Sequence, residues 1–362
     1  MEPVRPSLLA TALLAACLAN GPASVAGPAR VERRVAVMGT WLDEAVEHDG
    51  GRPAALRASE AALRALAEVE ARLSTWDPGS ELSRLNATPV GEPFAMSPAL
   101  ASDLRRAREL WLATGGAFDP GLGALVEAWG LRTGGRVPTA AEVADARAGG
   151  GFESIELAGN VARRTHALAW IEEGGFGKGI GLDAALATLR ESGVRSAVLD
   201  LGGQVSVLGS APVERRLSDP RDRERPVLAI TLGPGSLSTT GNSERGFTAD
   251  GERYGHVLDP RTGEPAPDFG SLTVSAPDAL TADALSTGLY VLGPEGAFRW
   301  LAAQPGERTV ELIVLEPRGD GLLCTASAGW RERLRALVPD LELRFVQADP
   351  SGAAFSSSLK RP

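Results

Sequence analysis

The stretch from residue 174 to 203, GGFGKGIGLDAALATLRESGVRSAVLDLGG, constrains the fold more than any other in this chain. A glycine-rich turn, GGFGKGIG, feeds a helix predicted from Leu182 to Ser192, and Gly193 stands just past its end. Residues 196–201 then form an apolar strand that runs into Gly202-Gly203. A glycine turn at a helix start can offer backbone N–H groups to a phosphate. The stretch is neither a Walker A loop, which needs Gly-Lys-Ser/Thr, nor a GxGxxG turn after a strand. On the residues alone, glycines placed for tight packing are the simpler reading. Lys178 is a second signal. Of the 37 basic residues only Lys178 and Lys360 are lysine. A compact ammonium differs from a guanidinium fork in how it meets a carboxylate or phosphate, so this position calls for lysine as such unless chance put it there.

The remaining chain supplies enough material for a large core. It has 362 residues, 43% apolar and 23% charged, as in ordinary soluble proteins of one large domain or two. A net charge of −9 with no basic stripe argues against a nucleic-acid partner. Cys17 and Cys324 have no metal-ligand spacing and form no disulfide framework. Cys324, within GLLCTAS, reads as a buried strand residue. Residues 1–26 read as an export segment. Arg5 gives a thin positive region, and the apolar run 8–19 is too short for a good membrane span. Leu14-Ala15-Ala16-Cys17 is similar to a bacterial lipobox, with Cys17 lipidated and the following Pro/Gly/Ala-rich stretch a tether. Ser24-Val25-Ala26 is the rival site for simple secretion. The expected location is the periplasmic side of a membrane.

Periodicity places further elements. Residues 34–37 read as a strand ending at Met38-Gly39-Thr40. Leu56, Leu63, Leu66 and Leu73 mark one helical stripe. Ser97-Pro98 starts a second helix, which Gly115-Gly116 stops. A short helix contains Trp129, and residues 152–170 alternate like a β-meander. Residues 215–225 read as an exposed loop, and 227–232 and 272–276 as strands. Residues 281–292 and 295–303 read as helices, 310–315 and 341–346 as strands, and 330–337 as a helix. The last residues, 348–362, read as a loose tail.

Two constellations carry chemistry. In residues 236–263, SLSTTGNSERGFTADGERYGHVLDPRTG, a hydroxyl cluster, a glycine turn, His256 and Asp259-Pro260 fall close together. Such a set suits a site that holds an oxyanion and moves a proton, and a β-hairpin with a satisfied histidine explains it equally. Asp283 and Thr287 are four apart, so a helix puts both on one face. With a backbone carbonyl they make the hard-oxygen set that Mg2+ accepts. The plain alternative is a helix-capping Asp and a Thr bonded to its own helix. His48 and His166 read as surface or strand residues.

Seven segments, in order, resemble the FAD:protein FMN transferase (ApbE-type) family. They are Met38-Gly39-Thr40, LSTWDPGSELSRLN, GGAFDPGLGALVEAWG, GFGKGIGLD, VLDLGGQ, the His256 stretch and TADALSTGLYVLG. The resemblance spans residues 30–347 and implies a Mg2+-dependent enzyme that moves FMN from FAD to a threonine of a target redox protein, releasing AMP. It implies that Asp283 and Thr287 bind Mg2+ with the carbonyl of Gly177. It gives His256 the role of base. Met38, Trp76, Ala117, Phe118, Asp119, Gly174, Ile180 and Leu258 match FAD-contacting positions. Ser286 stands where some relatives carry Asp. Asp183 and Asp200 are either supporting carboxylates or caps. The chain departs from the family at Thr240-Gly241, where Ser-Gly is common, and at Gly255, where Ser precedes the histidine.

The expected fold is α+β, with mixed, mainly antiparallel sheets and packed helices, one compact unit that includes the option of two lobes around an FAD cleft. Competing functions are an FAD pyrophosphatase giving FMN and AMP, and a non-catalytic flavin-binding lipoprotein. A serine hydrolase using Ser238 or Ser243 lacks the GxSxG elbow.

Overall fold

The computed structural model describes residues 27–242, 246–304, 309–347 and 356–360. The expected export segment with Cys17, and Ser243, lie outside the described residues.

Strands β1 (Ala29–Val37) and β2 (Thr40–His48) form a hairpin, followed by α1 (Gly51–Leu73). Helices α2 (Glu81–Ala87), α3 (Pro98–Ala113), α4 (Gly123–Ala128) and α5 (Ala140–Gly149) come next, with the short β3 (Phe94–Ala95) between α2 and α3. The hairpin of β4 (Ile155–Ala158) and β5 (Val161–Arg164) leads to α6 (Gly177–Glu191). Two more hairpins follow, β6 (Ser196–Leu201) with β7 (Gln204–Leu208) and β8 (Val213–Asp219) with β9 (Asp222–Leu232). After β10 (Gly235–Gly241) comes the small hairpin of β11 (Gly246–Ala249) and β12 (Glu252–Gly255). The chain continues through β13 (Ser271–Ala276), α7 (Ala279–Ala303), β14 (Glu311–Arg318), β15 (Gly321–Ser327), β16 (Leu334–Ala336), β17 (Leu341–Gln347) and β18 (Ser356–Lys360).

Ten strands make the main sheet in the order β1-β2-β6-β7-β10-β13-β14-β15-β17-β18, antiparallel except for β15 with β17. The expected α+β class, with mainly antiparallel sheets, is therefore observed. The sheet is covered on both faces, and β14 shows how. Leu312 and Val314 pack with α7, whereas Ile313 and Leu315 pack with β9, β15 and Trp330. Side chains alternate across a strand, so a strand buried on both faces reads as a continuous apolar run. A three-stranded sheet, β16-β9-β8, contributes to the second covering layer. A further core joins α2, α3 and the sheet β3-β5-β4 to Phe118, Phe176 and Ile180. Among the described residues no helix is long and apolar enough to cross a membrane.

The structure shifts several expected elements. Helix α6 begins at Gly177 rather than Leu182, so Gly177, Gly179 and Gly181 lie inside it. A Cβ at Gly179 would come within 2.6 Å of the Ala279 carbonyl oxygen and of Leu280 Cα. Gly179 thus lets α6 and α7 touch backbone to backbone. The buried face of α1 runs through Ala55, Ala58, Ala62 and Leu66, and Leu56 and Leu63 are only half-buried. Small alanines let α1 approach α6 closely, which the leucine spacing did not reveal. Residues 215–225 are not a loop but most of the β8–β9 hairpin. Asp219 holds its turn by accepting from the Arg221 N–H at 2.8 Å and from the Arg221 and Arg225 guanidinium groups. The helix expected at 330–337 is a single 3-10 turn followed by β16. The backbone N–H of Leu337 bonds the Val227 carbonyl, so these polar groups are satisfied by β9 instead. Residues 356–360 of the expected tail pair with β17, and the rest of the tail lies outside the described residues.

Helix α7 breaks at Gly293, whose φ of 73° is left-handed, followed by Pro294. This agrees with two helices read from the sequence on either side. Substituting Gly179→Ala tests the close contact. Helix propensity alone would make that change stabilising by about 1 kcal/mol. The observed approach predicts a loss of about 1–3 kcal/mol in urea unfolding instead.

Candidate active site

Two carboxylates lock α6 and α7 together in antiparallel register. Asp183 on α6 accepts from the Ala279 and Leu280 N–H groups at 2.7 and 3.1 Å, capping the start of α7. Asp283 on α7 accepts from the Gly179 N–H at 3.0 Å. Asp183 is thus a cap, and so is Asp200, which accepts from the Gly203 N–H at 3.0 Å in the β6–β7 turn.

Asp283 is buried, and burial pushes its carboxyl above the usual range, against the opposing pull of Lys178, the Gly179 N–H and the Ser238 hydroxyl. Its helical neighbour Thr287 donates back to the Asp283 carbonyl at 3.3 Å, as the plain reading of the pair anticipated. A Cβ at Gly175 would lie 3.5 Å from Thr287 Oγ1 and 3.3 Å from the Phe118 ring, so the turn before α6 closes over Thr287. The pair Asp283 and Thr287 therefore faces the residues that lead into Gly177.

The hydroxyl cluster reaches the same place from β10. Ser286 hydrogen-bonds Thr240 at 2.8 Å and Ser238 at 3.2 Å, and it donates to the Asp283 carbonyl at 2.9 Å. Thr239 points the other way and meets Thr273. Beyond β10, Asn242 is buried. Its Oδ1 accepts from the Val257 N–H, and its amide N–H donates to the Ala266 carbonyl. A Cβ at Gly255 would lie 2.3 Å from the Asn242 side chain, so glycine leaves room for that side chain. Asn242 thus pins Gly255 and Val257, on either side of His256, to the end of β10. His256 is partly exposed, in the segment that Asn242 holds to the end of β10, the strand whose Thr240 bonds Ser286. Asn242 was not singled out from sequence; its position directly after Thr240-Gly241 was the available signal. The Asp259-Pro260 turn forms as expected, with the Gly263 N–H on the Asp259 carbonyl at 2.7 Å.

The other candidate positions surround this point. Met38 sits in the β1–β2 turn with a left-handed φ of 51°, uncommon for a non-glycine residue, and its sulfur packs where Gly181 has no side chain. Ile180 and Phe118 are core residues, Phe118 edge-on to Phe176 at 6.4 Å. Ala117 is buried with the α7 cluster. Gly174 is exposed in the 3-10 turn before α6. Leu258 packs in a cluster with Trp129, whose indole N–H donates to the Gly263 carbonyl at 2.8 Å. Asp119 is chiefly a fold anchor. Its Oδ1 accepts from Gly121 and Phe152 N–H groups at 2.6 and 2.9 Å, and burial pushes its carboxyl up to about 6. It lines a cavity of about 320 Å3 with Trp111, Arg147 and Arg261. Trp76 stands out in the solvent with the Arg132 guanidinium over its ring. His48 bonds the Ser192 carbonyl and the Gly50 N–H, and His166 the Leu168 N–H, as expected of structural histidines.

Residues 38–311 match the model of the ApbE family. The chain belongs to the ApbE family. It is 36% identical to the FAD:protein FMN transferase of Rhodobacter capsulatus over 88% of this chain, and spans 61% of that protein's length. It is 32% identical to the FAD:protein FMN transferase of Vibrio cholerae, over 74% of this chain and 82% of the relative. The solved structure of the flavin transferase ApbE from Vibrio cholerae superposes with a TM-score of 0.74 at 27% identity, covering 84% of this chain and 99% of that one. Within the ApbE family the sequence resemblance and the fold therefore agree along most of the chain.

The raised Asp119 carboxyl has a consequence for stability. Its folded value near 6 lies above the ordinary 3.8, so the native state holds the proton more tightly than the unfolded chain. Stability from this group is then full below about pH 4 and is lost as pH rises through 6, about 3 kcal/mol in all. In Asp119→Asn, which keeps the Oδ1 bonds, unfolding measured between pH 4 and 6.5 should lose that decline. An equal pH dependence in both proteins would contradict it.

Proposed function

We propose that this chain is a FAD:protein FMN transferase, moving FMN from FAD to a threonine hydroxyl of a partner redox protein with release of AMP. The observation that carries the reading is the convergence of three segments: the start of α6, the Asp283–Thr287 face of α7, and the His256 loop clamped to β10 by Asn242. Membership of the ApbE family and the names of its relatives give the substrate class.

The residues suggest the division of labour. The start of α6 sets the positive end of its dipole beside the Lys178 ammonium, a setting suited to a diphosphate. His256 would take the proton from the threonine hydroxyl as its oxygen attacks the phosphorus nearest riboflavin. The bond from that phosphorus to the bridging oxygen breaks, and AMP carries the charge away. Holding attacking and leaving oxygens in line would supply much of the rate. The buried Asp283 carboxyl, beside Lys178 and the Gly179 N–H, would with Thr287 and the Gly177 carbonyl supply the oxygen donors that Mg2+ accepts. When bound, that ion would neutralise charge on the diphosphate. The N-terminal apolar run with Cys17 supports export and a lipid anchor, with the acceptor an electron-transfer subunit on the same side of the membrane.

Incubation with FAD, Mg2+ and a threonine-bearing acceptor should give covalent flavin fluorescence on the acceptor and one AMP per label. AMP without label would favour the pyrophosphatase. His256→Ala should cut labelling by about 10²- to 10⁴-fold while FAD still binds. Unchanged turnover in that variant would sink the assignment of the base. Asp283→Asn should lose the rise in thermal midpoint that Mg2+ gives the native protein, a readout independent of turnover.

A further inference from the structure

Trp76 is 67% exposed, yet one face of its indole is covered. The Arg132 guanidinium lies over it at 4.5 Å and over Trp170 at 5.1 Å, a cation shared between two indoles. Arg132 is fixed in turn. It donates to the Thr75 carbonyl at 3.1 Å, to the Thr75 hydroxyl and to the Glu172 carboxylate. Its buried Nε has no hydrogen-bond partner. Trp170 is seated on α4, where a Cβ at Gly123 would lie 2.1 Å from its ring, and Glu172 is held by its N–H on the Pro120 carbonyl at 2.8 Å. One guanidinium thus ties together the turn after α1, the segment 170–172 and the turn after α4.

Ordering a tryptophan in water costs conformational entropy and recovers little burial. The arrangement makes sense if the open face of the indole receives a flat ring. Its surroundings tie that face to the proposed FAD site. The Thr75 hydroxyl bonds Glu173, Glu173 precedes Gly174-Gly175, and Gly175 closes over Thr287. The turn carrying Trp76 is therefore hydrogen-bonded to the segment that closes over Thr287.

We infer that Arg132 is a positioning residue for the flavin end of FAD: clamped between Trp76 and Trp170, it presents the exposed face of Trp76 to the isoalloxazine ring. The inference rests on FAD being the donor. Arg132 touches no reacting atom, so its effect should appear in ring binding and not in the chemical step. Lysine cannot replace it, because an ammonium lacks both the stacking plane and the fork that meets Thr75 and Glu172 together.

The test compares Arg132→Lys, Trp76→Ala and the double variant with the wild-type protein, using riboflavin, FAD and AMP as separate ligands. Flavin fluorescence quenching should show Arg132→Lys binding riboflavin and FAD roughly three- to tenfold more weakly, the gain expected from one pre-ordered side chain. The inhibition constant of AMP should not move, and kcat at saturating FAD should stay within about twofold while KM for FAD rises. In the Trp76→Ala background the Arg132 substitution should have no further effect. Urea unfolding of the variants separates a fold defect from a binding defect, since a fold defect weakens AMP equally. The inference is overturned if Arg132→Lys leaves flavin affinity unchanged, if AMP weakens in step with riboflavin, or if only KM for the acceptor protein changes. Normal AMP and FAD binding with no label transfer by the wild-type protein would instead remove the transferase reading and leave the ring-positioning result standing.

Discussion

The backbone contact between α6 and α7 at Gly179 governs the molecule. There the two helices approach so closely that no side chain fits between Gly179 and the Ala279 carbonyl. Asp183 and Asp283 then each reach across to backbone N–H groups of the opposite helix. These charge-assisted bonds set the register, and the register sets what faces what. With α6 fixed this way, its first turn lies beside Asp283, and the turn before it closes on Thr287. A shift of one residue would carry Gly177 and Lys178 off the Asp283 face.

The sheet extends this local geometry to the rest of the site. β10 lies under α7 and sends alternate hydroxyls, Ser238 and Thr240, up to Ser286. At its end Asn242 captures the segment carrying His256. A β-strand rises about 3.3 Å per residue, so a rigid strand can deliver both the hydroxyl row and the histidine loop with little freedom. The main sheet is buried on both faces, by α1, α6 and α7 on one side and by the β9 layer on the other, which keeps β10 in place. The polar groups of the site are thus held by rigid elements, and the exposed turns around them carry Trp76 and Gly174.

Much of this was legible in the sequence because the signals were local. Ser97-Pro98 announced α3 through its capping hydroxyl, which accepts from the Leu100 N–H. The spacing of Asp283 and Thr287 put them on one helical face, and the order of seven short segments pointed to the family. What was not legible depended on contacts distant in sequence. The glycines of GKGIG looked like a turn because their partner, the start of α7, lies some hundred residues away. The arginines of 215–225 hid a hairpin whose turn is held by Asp219. The alanine face of α1 could not be told from its leucine face without knowing how close α6 comes. Arg132 carried no motif at all; only the fold brings Trp76 and Trp170 to its two sides.

A crystal structure of the protein with FAD and Mg2+ tests the central claim most directly. The account predicts the ion at about 2.1 Å from oxygens of Asp283 and Thr287. It also predicts the diphosphate over the first turn of α6, with a His256 ring nitrogen within hydrogen-bond reach, about 3 Å or through one water, of where an oxygen attacking the phosphorus nearest riboflavin would stand. FAD bound away from α6, or a His256 ring turned to the opposite side of β10 with the ligand in place, would contradict it.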